Sequence, residues 1–270
     1  MSLVDSDWLE KNINNVKIID CSWHMPQTKR NGFEEYNKDH IPNAIFFDLD
    51  KNSKQDTNLP HMLTDIRSWE KIMCNMGIKN NDRIVVYDNS DVISACRCWY
   101  NLIYFGHSPN LVHVLNGGFK KWKKENKITN NENVITKISQ YSCSENIKLV
   151  KNKKQINENI KKNEFYVIDA RSRDRFDGKV NEPRKGLRSG SIENSFCLPY
   201  TELINTDHTF ISKNKIIEKF NSLGFNQGKN LVFSCGSGVT ASVLALAYSL
   251  INDKYHPCIY DGSWAEYGII

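Results

Sequence analysis

The sequence predicts an α/β protein of two tandem domains, each with a central, mainly parallel sheet flanked by helices. Short apolar runs of strand length alternate with longer helical patterns, which is typical of β–α–β units around a parallel sheet. The same order of segments occurs twice along the 270 residues, and this length is sufficient for two separate cores. We therefore expect a first domain at residues 1–127, a linker at 128–147 and a second domain at 148–270.

The two halves correspond element by element. Each opens with an apolar strand, VKIIDCSW in the first half and FYVIDARS in the second. A helical pattern later ends at a glycine in both halves, Gly77 and Gly224. The next strand is RIVVYDNSD in the first half and NLVFSCGSG in the second, and another helix follows in each. The last strand–helix pair is VHVLNGGFKKW in the first half and PCIYDGSWAEY in the second. Between the halves, ITNNENVITKISQYSCSENI is polar and lacks periodicity, which indicates a linker.

Composition and charge exclude several classes of function. The net charge of +5 is mild and the lysines are dispersed, so we expect no nucleic-acid partner. No apolar run approaches transmembrane length, and the N-terminus has neither an apolar signal core nor the composition of a transit peptide. We therefore expect a cytoplasmic protein without a membrane partner. The eight cysteines are scattered and form no CxxC pair, which argues against a metal site.

One cysteine stands where a strand ends and a glycine-rich turn begins. In the aligned halves Cys235 falls opposite Asp88, so only the second copy carries a thiol at this position. Gly236 and Gly238 allow the backbone to curl and expose its N–H groups, and the helical segment VTASVLALAYSL begins at the same place. Ligands of α/β proteins bind at the carboxyl ends of strands. Cys235 is therefore either a buried structural cysteine or a nucleophile in an anion-binding loop.

Two further observations bear on the chemistry of this loop. Cysteine phosphatases end a similar loop with an arginine six positions after the cysteine, because phosphate requires a bidentate cation. That position is Ala241 here, which disfavours a phosphatase. Arginine is concentrated elsewhere, since five of the nine arginines lie between Arg171 and Arg188. Taken alone, this concentration is compatible with a solvated surface loop.

The motif CGSGVTAS resembles the active loop of the 3-mercaptopyruvate sulfurtransferases, members of the tandem-rhodanese superfamily. The resemblance extends over nearly the whole chain, because HIPNAIFFDLD, HML, DARSRDRFDG, EPR, CGSGVTA and DGSW occur in the family's order. Related thiosulfate sulfurtransferases usually carry basic residues after the loop cysteine, whereas this loop has Gly236 and Ser237. The resemblance therefore favours 3-mercaptopyruvate as the sulfur donor. It also implies two rhodanese-like domains, of which the first is catalytically inactive.

The resemblance implies covalent catalysis without a metal or an organic cofactor. Cys235 would take the sulfur of 3-mercaptopyruvate as a persulfide and release pyruvate, and a second thiol would then accept the outer sulfur. The acceptors implied by the family are reduced thioredoxin, small-molecule thiols and, in the test tube, cyanide.

The resemblance also assigns roles to individual residues. The two arginines that hold the carboxylate and keto oxygen of the substrate match Arg175 in RDRF and Arg184 in EPR. A Ser/His/Asp set, in which an imidazole polarises a hydroxyl, matches Ser237, His61 in LPHML and Asp50 in FFDLD. The loop itself completes the expected substrate site, with Gly236, Gly238, Val239 and Thr240.

Alternatives stay open at this point. A thiosulfate sulfurtransferase would share the fold and the cysteine, and a persulfide-carrying regulatory or binding module would use the same fold for docking. Arg171 is expected to brace the fold with Asp169, and the sequence assigns no role to Arg188. The stretch RSGSIENS stands where related chains often have a His-Ile-Pro-Gly pattern, so its geometry is not predicted.

Overall fold

The computed structural model describes residues 2–225 and 228–270 of the chain. These residues form two compact units. Unit 1 contains the residues up to Gln55 together with Leu63–Asn146 and Thr206–Thr209, and unit 2 contains Asp56–Met62, Ile147–Asn205 and Phe210–Ile270. Within the described residues no helix is both long and apolar enough to cross a membrane.

Unit 1 is built on a parallel sheet. In chain order its strands are β1 Leu3–Val4, β2 Lys17–Asp20, β3 Ala44–Phe46, β4 Ile84–Tyr87 and β5 Val112–Leu115. They lie side by side in the order β1-β5-β4-β2-β3, and the described pairs are parallel. The helices are α1 Ser6–Asn12, α2 Gly32–Lys38, α3 Ile66–Asn75, α4 Ala95–Tyr104 and α5 Gly118–Lys124, with 3-10 turns at Pro26–Thr28 and Pro109–Leu111.

Unit 2 has a second parallel sheet. Its strands are β6 Val150–Lys151, β7 Phe165–Asp169, β8 Phe196–Cys197, β9 Asn230–Ser234 and β10 Ile259–Tyr260, in the spatial order β6-β10-β9-β7-β8. The described pairs of this sheet are parallel as well. The helices are α6 Lys153–Lys162, α7 Arg173–Phe176, α8 Lys213–Asn221, α9 Val239–Ser249 and α10 Ser263–Tyr267, with 3-10 turns at Ile147–Leu149 and Tyr200–Leu203.

The residue types explain why these segments form strands and helices. The central strands are runs of branched and aromatic residues, which is typical of parallel strands covered on both faces. All of β4 is buried, and so is β9 after its first residue. Side-chain caps fix helix starts: Asp65 accepts from Ser68 N before α3, and Asn152 forms a capping box with Gln155 before α6.

The two units repeat one connectivity, in which the fourth strand lies at the centre of the sheet. The turn after this strand is held in the same way in each unit. Phe119 N donates to Asp88 O over 2.8 Å in unit 1, and Trp264 N donates to Cys235 O over 2.9 Å in unit 2. The predicted fold class, two tandem α/β domains with mainly parallel sheets, is confirmed.

Two segments of the chain lie in a different unit from the one expected from the predicted domain boundaries. Residues 128–146, which fall in the predicted linker, are part of unit 1. They are hydrogen-bonded to the ends of two helices. Ser139 N donates to Cys74 O near the end of α3, and Asn146 N donates to Tyr104 O at the end of α4. Residues 56–62 fall in the predicted first domain and are part of unit 2. Backbone hydrogen bonds of the kind that hold 128–146 leave no periodic pattern in the sequence.

An aspartate ends the second strand of each sheet, but its surroundings differ between the units. Asp169 at the end of β7 pairs with Arg171, whose Nη2 lies 2.7 Å from Oδ2. In unit 1 the matching Asp20 is followed two positions later by Ser22, whose N–H donates to Oδ1 over 2.8 Å. Burial raises the pKa of Asp20 to about 6.

The substitution Asp20→Asn should therefore reduce the dependence of stability on pH. An aspartate in the unfolded chain ionises at about pH 4, whereas the folded group ionises at about pH 6. The Asp20 carboxyl therefore makes a contribution to stability that is lost as the pH rises through this interval, and the variant lacks this pH-dependent contribution. In urea unfolding we expect the variant to gain on the order of 2 kcal/mol over wild type between about pH 4 and about pH 8. An equal difference at both pH values would contradict this expectation.

Candidate active site

Cys235 lies directly after β9, in the turn that leads into α9. Its side chain is buried, with 2% of the residue surface exposed. The Sγ atom accepts hydrogen bonds from two backbone amides of the same turn, Gly238 N at 3.1 Å and Ser237 N at 3.4 Å. The first turn of α9 adds further N–H groups at the positively polarised end of a helix. The turn therefore offers donors to a sulfur that carries negative charge.

The backbone of the turn is held from behind by the start of α10. Cys235 N donates to Ser263 Oγ over 3.2 Å, and Trp264 N and Ala265 N donate to the carbonyl oxygens of Cys235 and Gly236, both over 2.9 Å. Ser263 has a φ of 48°, a left-handed conformation that is uncommon outside glycine. Backbone strain of this kind is concentrated at functional sites.

The two loop glycines serve different purposes. Gly238 has a φ of 82°, so its lack of a side chain permits the left-handed turn before α9, as predicted. Gly236 does not have a positive φ, and what it provides is space. A Cβ atom at this position would lie 3.5 Å from Arg175 Nη2 and 3.5 Å from Arg184 Nη1. At Gly236 the φ angle does not itself require glycine, and the absence of a side chain leaves room between the loop and two guanidinium groups.

These distances bring both predicted substrate arginines to the same side of the cysteine turn. Arg175 projects from α7 and Arg184 from the irregular segment that follows it. A guanidinium group presents paired donors that match a carboxylate. The two guanidinium groups therefore present donors suited to a carboxylate beside the cysteine turn.

The predicted serine and histidine also meet in unit 2. His61 Nδ1 lies 2.9 Å from Ser237 Oγ, and both residues are buried. His61 has a φ of 60°, another left-handed residue at the site. Its segment, residues 56–62, belongs to unit 2, whereas the domain boundaries placed it in the first copy.

Asp50, the third member of the predicted set, belongs to unit 1. It is exposed, and its two carboxylate oxygens accept from Trp23 Nε1 over 3.1 and 3.0 Å. Its predicted catalytic role stays a prediction.

Arg171 and Arg188 flank an aromatic ring. Their guanidinium carbons lie 4.4 and 4.6 Å from the ring centre of Trp264, which is fully buried. Arg171 is also bound to Asp169, in agreement with the expected brace. The sequence assigned no role to Arg188, and the structure places it on the tryptophan that holds the cysteine turn.

Sequence reasoning missed two residues of the site. Glu182 binds Arg175, and Ser263 binds the amide of Cys235. A signal for Ser263 existed in the duplication, since Gly118 of unit 1 matches it and has a φ of 56°. Both positions have a left-handed backbone, which favours glycine. A serine at such a position indicates that its side chain has a function that outweighs the backbone strain.

Burial acts on several other thiols of the chain. It raises the pKa of Cys143, Cys197 and Cys258 to about 12, so these thiols stay protonated at neutral pH. Burial also raises the pKa of Cys96. Among the described residues, no group of three or more His, Cys, Asp or Glu side chains could hold a metal ion.

The fold and the site define an α/β protein with a buried cysteine in an amide-lined turn. A family model for the rhodanese-like domain matches residues 5–125 and 152–269. The chain therefore belongs to the rhodanese family, as the sequence motifs predicted.

Relatives and solved structures extend this comparison. Thiosulfate/3-mercaptopyruvate sulfurtransferase 1, mitochondrial, of Arabidopsis thaliana is 36% identical over 98% of this chain and 75% of the relative. The 3-mercaptopyruvate sulfurtransferase of Escherichia coli K12 is 33% identical over 98% of this chain and 94% of the relative. The crystal structure of the Escherichia coli protein SseA, described as a 3-mercaptopyruvate sulfotransferase, superposes with a TM-score of 0.88 at 31% identity, covering 98% of this chain and 99% of SseA.

The different roles of the two glycines can be tested by stability. Gly238→Ala forces a Cβ atom into a left-handed residue and should lower the free energy of unfolding by about 1–2 kcal/mol. Gly236→Ala is the matched control, because its Cβ would make ordinary contacts at 3.5 Å and should change stability little. Urea unfolding of both variants measures the difference. Equal losses would show that Gly236 is also required by the backbone.

Proposed function

We propose that this rhodanese-family protein is a sulfurtransferase that moves the sulfur of 3-mercaptopyruvate through a persulfide on Cys235 to a thiol acceptor, with release of pyruvate. The observation that carries the proposal is the placement of Arg175 and Arg184 beside Gly236, one residue from the nucleophile. A substrate that brings a carboxylate and a sulfur on adjoining carbons fits this arrangement. The names of the Escherichia coli and Arabidopsis relatives support the same donor.

The proposed first step transfers sulfur in the sulfane state. The Cys235 thiolate attacks the sulfur of the donor, an S–S bond forms, and the bond between that sulfur and C3 of the donor breaks. The electron pair of this bond stays with the organic fragment as the enolate of pyruvate, which takes up a proton at C3. In the second step an acceptor thiolate attacks the outer sulfur and restores the Cys235 thiolate.

Each group near the turn has a role in this scheme. The two guanidinium groups hold the carboxylate and the keto oxygen, where negative charge develops as the enolate forms. The amides of Ser237 and Gly238, which donate to Sγ, stabilise the thiolate and the persulfide. His61, at 2.9 Å from Ser237 Oγ, orients that hydroxyl toward the reacting atoms.

Thiosulfate is a second candidate donor, because two Arabidopsis relatives at 36% identity are named for both thiosulfate and 3-mercaptopyruvate. The turn itself provides amides and the Ser237 hydroxyl and has no basic side chain between Cys235 and Val239. Among the described residues, Arg175 and Arg184 are the cations placed beside the loop for a compact dianion bound at the sulfur. We therefore infer that thiosulfate is the weaker donor. We also propose that reduced thioredoxin or a small thiol is the acceptor and that the reaction takes place in the cytoplasm.

A comparison of the two donors tests the proposed function. We expect kcat/KM for 3-mercaptopyruvate, followed by pyruvate release, to exceed that for thiosulfate at least about tenfold, a gap of about 1.4 kcal/mol in transition-state stabilisation. Mass spectrometry of donor-treated protein should show one added sulfur on the Cys235 peptide, and Cys235→Ser should abolish both signals. Equal efficiencies for the two donors would make the thiosulfate enzyme the better description, and an active Cys235→Ser variant would rule out the persulfide mechanism.

The arginine pair predicts a loss of substrate affinity on truncation. Arg175→Ala and Arg184→Ala should each raise KM for 3-mercaptopyruvate about tenfold to a hundredfold, because a charge-assisted hydrogen bond contributes about 1.5–3 kcal/mol. Lysine at either position should restore only part of this, since an ammonium group lacks the planar fork. Arg173→Ala is the matched control, because Arg173 lies on the same helix and pairs with Glu202 at 2.7 Å. If the control raises KM as much as the other two, the effect is not specific to the site.

A further inference from the structure

The carboxylate of Glu182 lies between two arginines of unit 2. Its Oε1 atom accepts from Arg171 Nη1 over 2.8 Å and from Arg175 Nε over 3.1 Å, and its Oε2 atom accepts from Arg175 Nη2 over 2.6 Å. The Glu182 side chain is only 1% exposed, whereas Arg175 is 21% exposed. A buried carboxylate is stable only when it is paired in this way. Glu182 therefore joins a buried cation to the arginine that faces the cysteine turn.

The buried end of this arrangement is fixed. Arg171 is 1% exposed, and its Nη2 atom donates to Asp169 Oδ2 over 2.7 Å and to Gly190 O over 2.8 Å. Its guanidinium also stacks on Trp264 at 4.4 Å, and the amide of Trp264 donates to the carbonyl oxygen of Cys235. A continuous set of contacts thus runs from the nucleophile through Trp264 and Arg171 to Glu182.

The free end of the arrangement is the guanidinium of Arg175. Glu182 occupies the edge formed by Nε and Nη2, which is one of the two edges on which a guanidinium can bind a carboxylate. The edge formed by Nη1 and Nη2 is left for a second carboxylate. Nη2 lies 3.5 Å from the Cβ position of Gly236, so this edge adjoins the space beside the cysteine turn.

We propose that Glu182 is a positioning residue that sets the orientation of Arg175 relative to Cys235 and so determines affinity for the carboxylate of the donor. The proposal rests on the proposed function in that Arg175 binds the donor. Glu182 acts through Arg175 and does not touch the substrate. Without it, Arg175 would keep its charge and lose the contact that aims its second edge at the loop.

The substitution Glu182→Gln keeps the size of the side chain and removes its charge. One of its two terminal atoms becomes a donor and faces an arginine, so at least one guanidinium loses its acceptor. We expect KM for 3-mercaptopyruvate to rise about tenfold or more while kcat changes less than about threefold, because the cysteine turn is untouched. Glu182→Asp retains the charge and should recover part of the affinity.

A matched control is available in the second arginine–carboxylate pair formed by α7. Glu202 pairs with Arg173, which projects from α7 as Arg175 does, and it also binds Lys219. Glu202→Gln removes a carboxylate–arginine pair of the same helix that is more exposed than the Glu182 pair, and it should leave KM unchanged. If Glu202→Gln raises KM as much as Glu182→Gln does, the effect comes from general loosening of α7 and the proposal is wrong.

A double-mutant cycle separates positioning from a purely structural role. If Glu182 acts through Arg175, then Glu182→Gln should change KM less than about twofold when Arg175→Ala is already present. A structural brace would lower stability and activity by the same factor in both backgrounds, and that additive result would overturn the proposal. Should Glu182→Gln fail to fold, the same cycle is run with Glu182→Asp, which keeps the charge but shortens the side chain by one methylene group and so should shift Arg175.

A chemical measurement keeps this proposal distinct from the proposed function. Phenylglyoxal modifies accessible guanidinium groups, and peptide mass spectrometry reports the rate at Arg175 in the full-length protein without any donor. Glu182→Gln should increase that rate at least about threefold and leave the rate at Arg173 unchanged. An unchanged rate at Arg175 would overturn the positioning role, even in an active enzyme. Failure of wild-type protein to use 3-mercaptopyruvate would overturn only the proposed donor, and the cycle would then be measured with thiosulfate.

Discussion

The hydrogen bonds between the cysteine turn and the start of α10 are the constraint on which the site depends. They fix both backbone groups of Cys235, the amide on Ser263 Oγ and the carbonyl on Trp264 N. Because the backbone cannot rotate, the amides that follow remain directed at Sγ. The guanidinium of Arg171 stacks on the ring of the same tryptophan. Trp264 therefore contacts both the turn that holds Cys235 and the arginine that binds Glu182. A single turn thus determines the separation between the reactive sulfur and the site for the substrate carboxylate.

The first copy shows that this frame does not require the nucleophile. Asp88 occupies the place of the cysteine, and its carboxylate accepts from Ser90 N over 2.8 Å and from Ala95 N over 2.7 Å. The turn therefore satisfies two of its own amides with the side chain of Asp88 and needs no sulfur. Gly118 takes the left-handed position with no strain, where unit 2 keeps Ser263. The fold is maintained in both copies, and the chemistry depends on a few side chains in one of them.

Much of the fold and part of the site were predictable, for identifiable reasons. The strands that lead to Asp88 and Cys235 are short apolar runs with clear ends, so the duplication and the position of the thiol follow from local pattern. The role of Glu182 could not be predicted, because its partners are two arginines whose side chains converge only through the path of an irregular segment. The reason for Gly236 was also out of reach, since the space that it provides is defined by side chains from 52 to 61 positions earlier in the chain. Local backbone structure can be predicted from sequence patterns, whereas contacts between side chains that are distant in the sequence mostly cannot.

The pairing of Arg175 with Glu182 also bears on which anions the site prefers. A guanidinium already bound to a carboxylate has much of its net charge offset, so its long-range attraction for a second anion is weak. What remains is an edge of the guanidinium with two parallel N–H donors. This edge binds best a ligand with two oxygens that lie in the plane of the guanidinium at the spacing of these donors. A carboxylate meets that requirement on both oxygens, whereas the tetrahedral oxygens of thiosulfate present no such plane. Under the proposed function, selectivity for a 2-oxo acid would therefore arise from the shape of the donor array, because the cysteine turn contains no basic side chain that would favour a dianion.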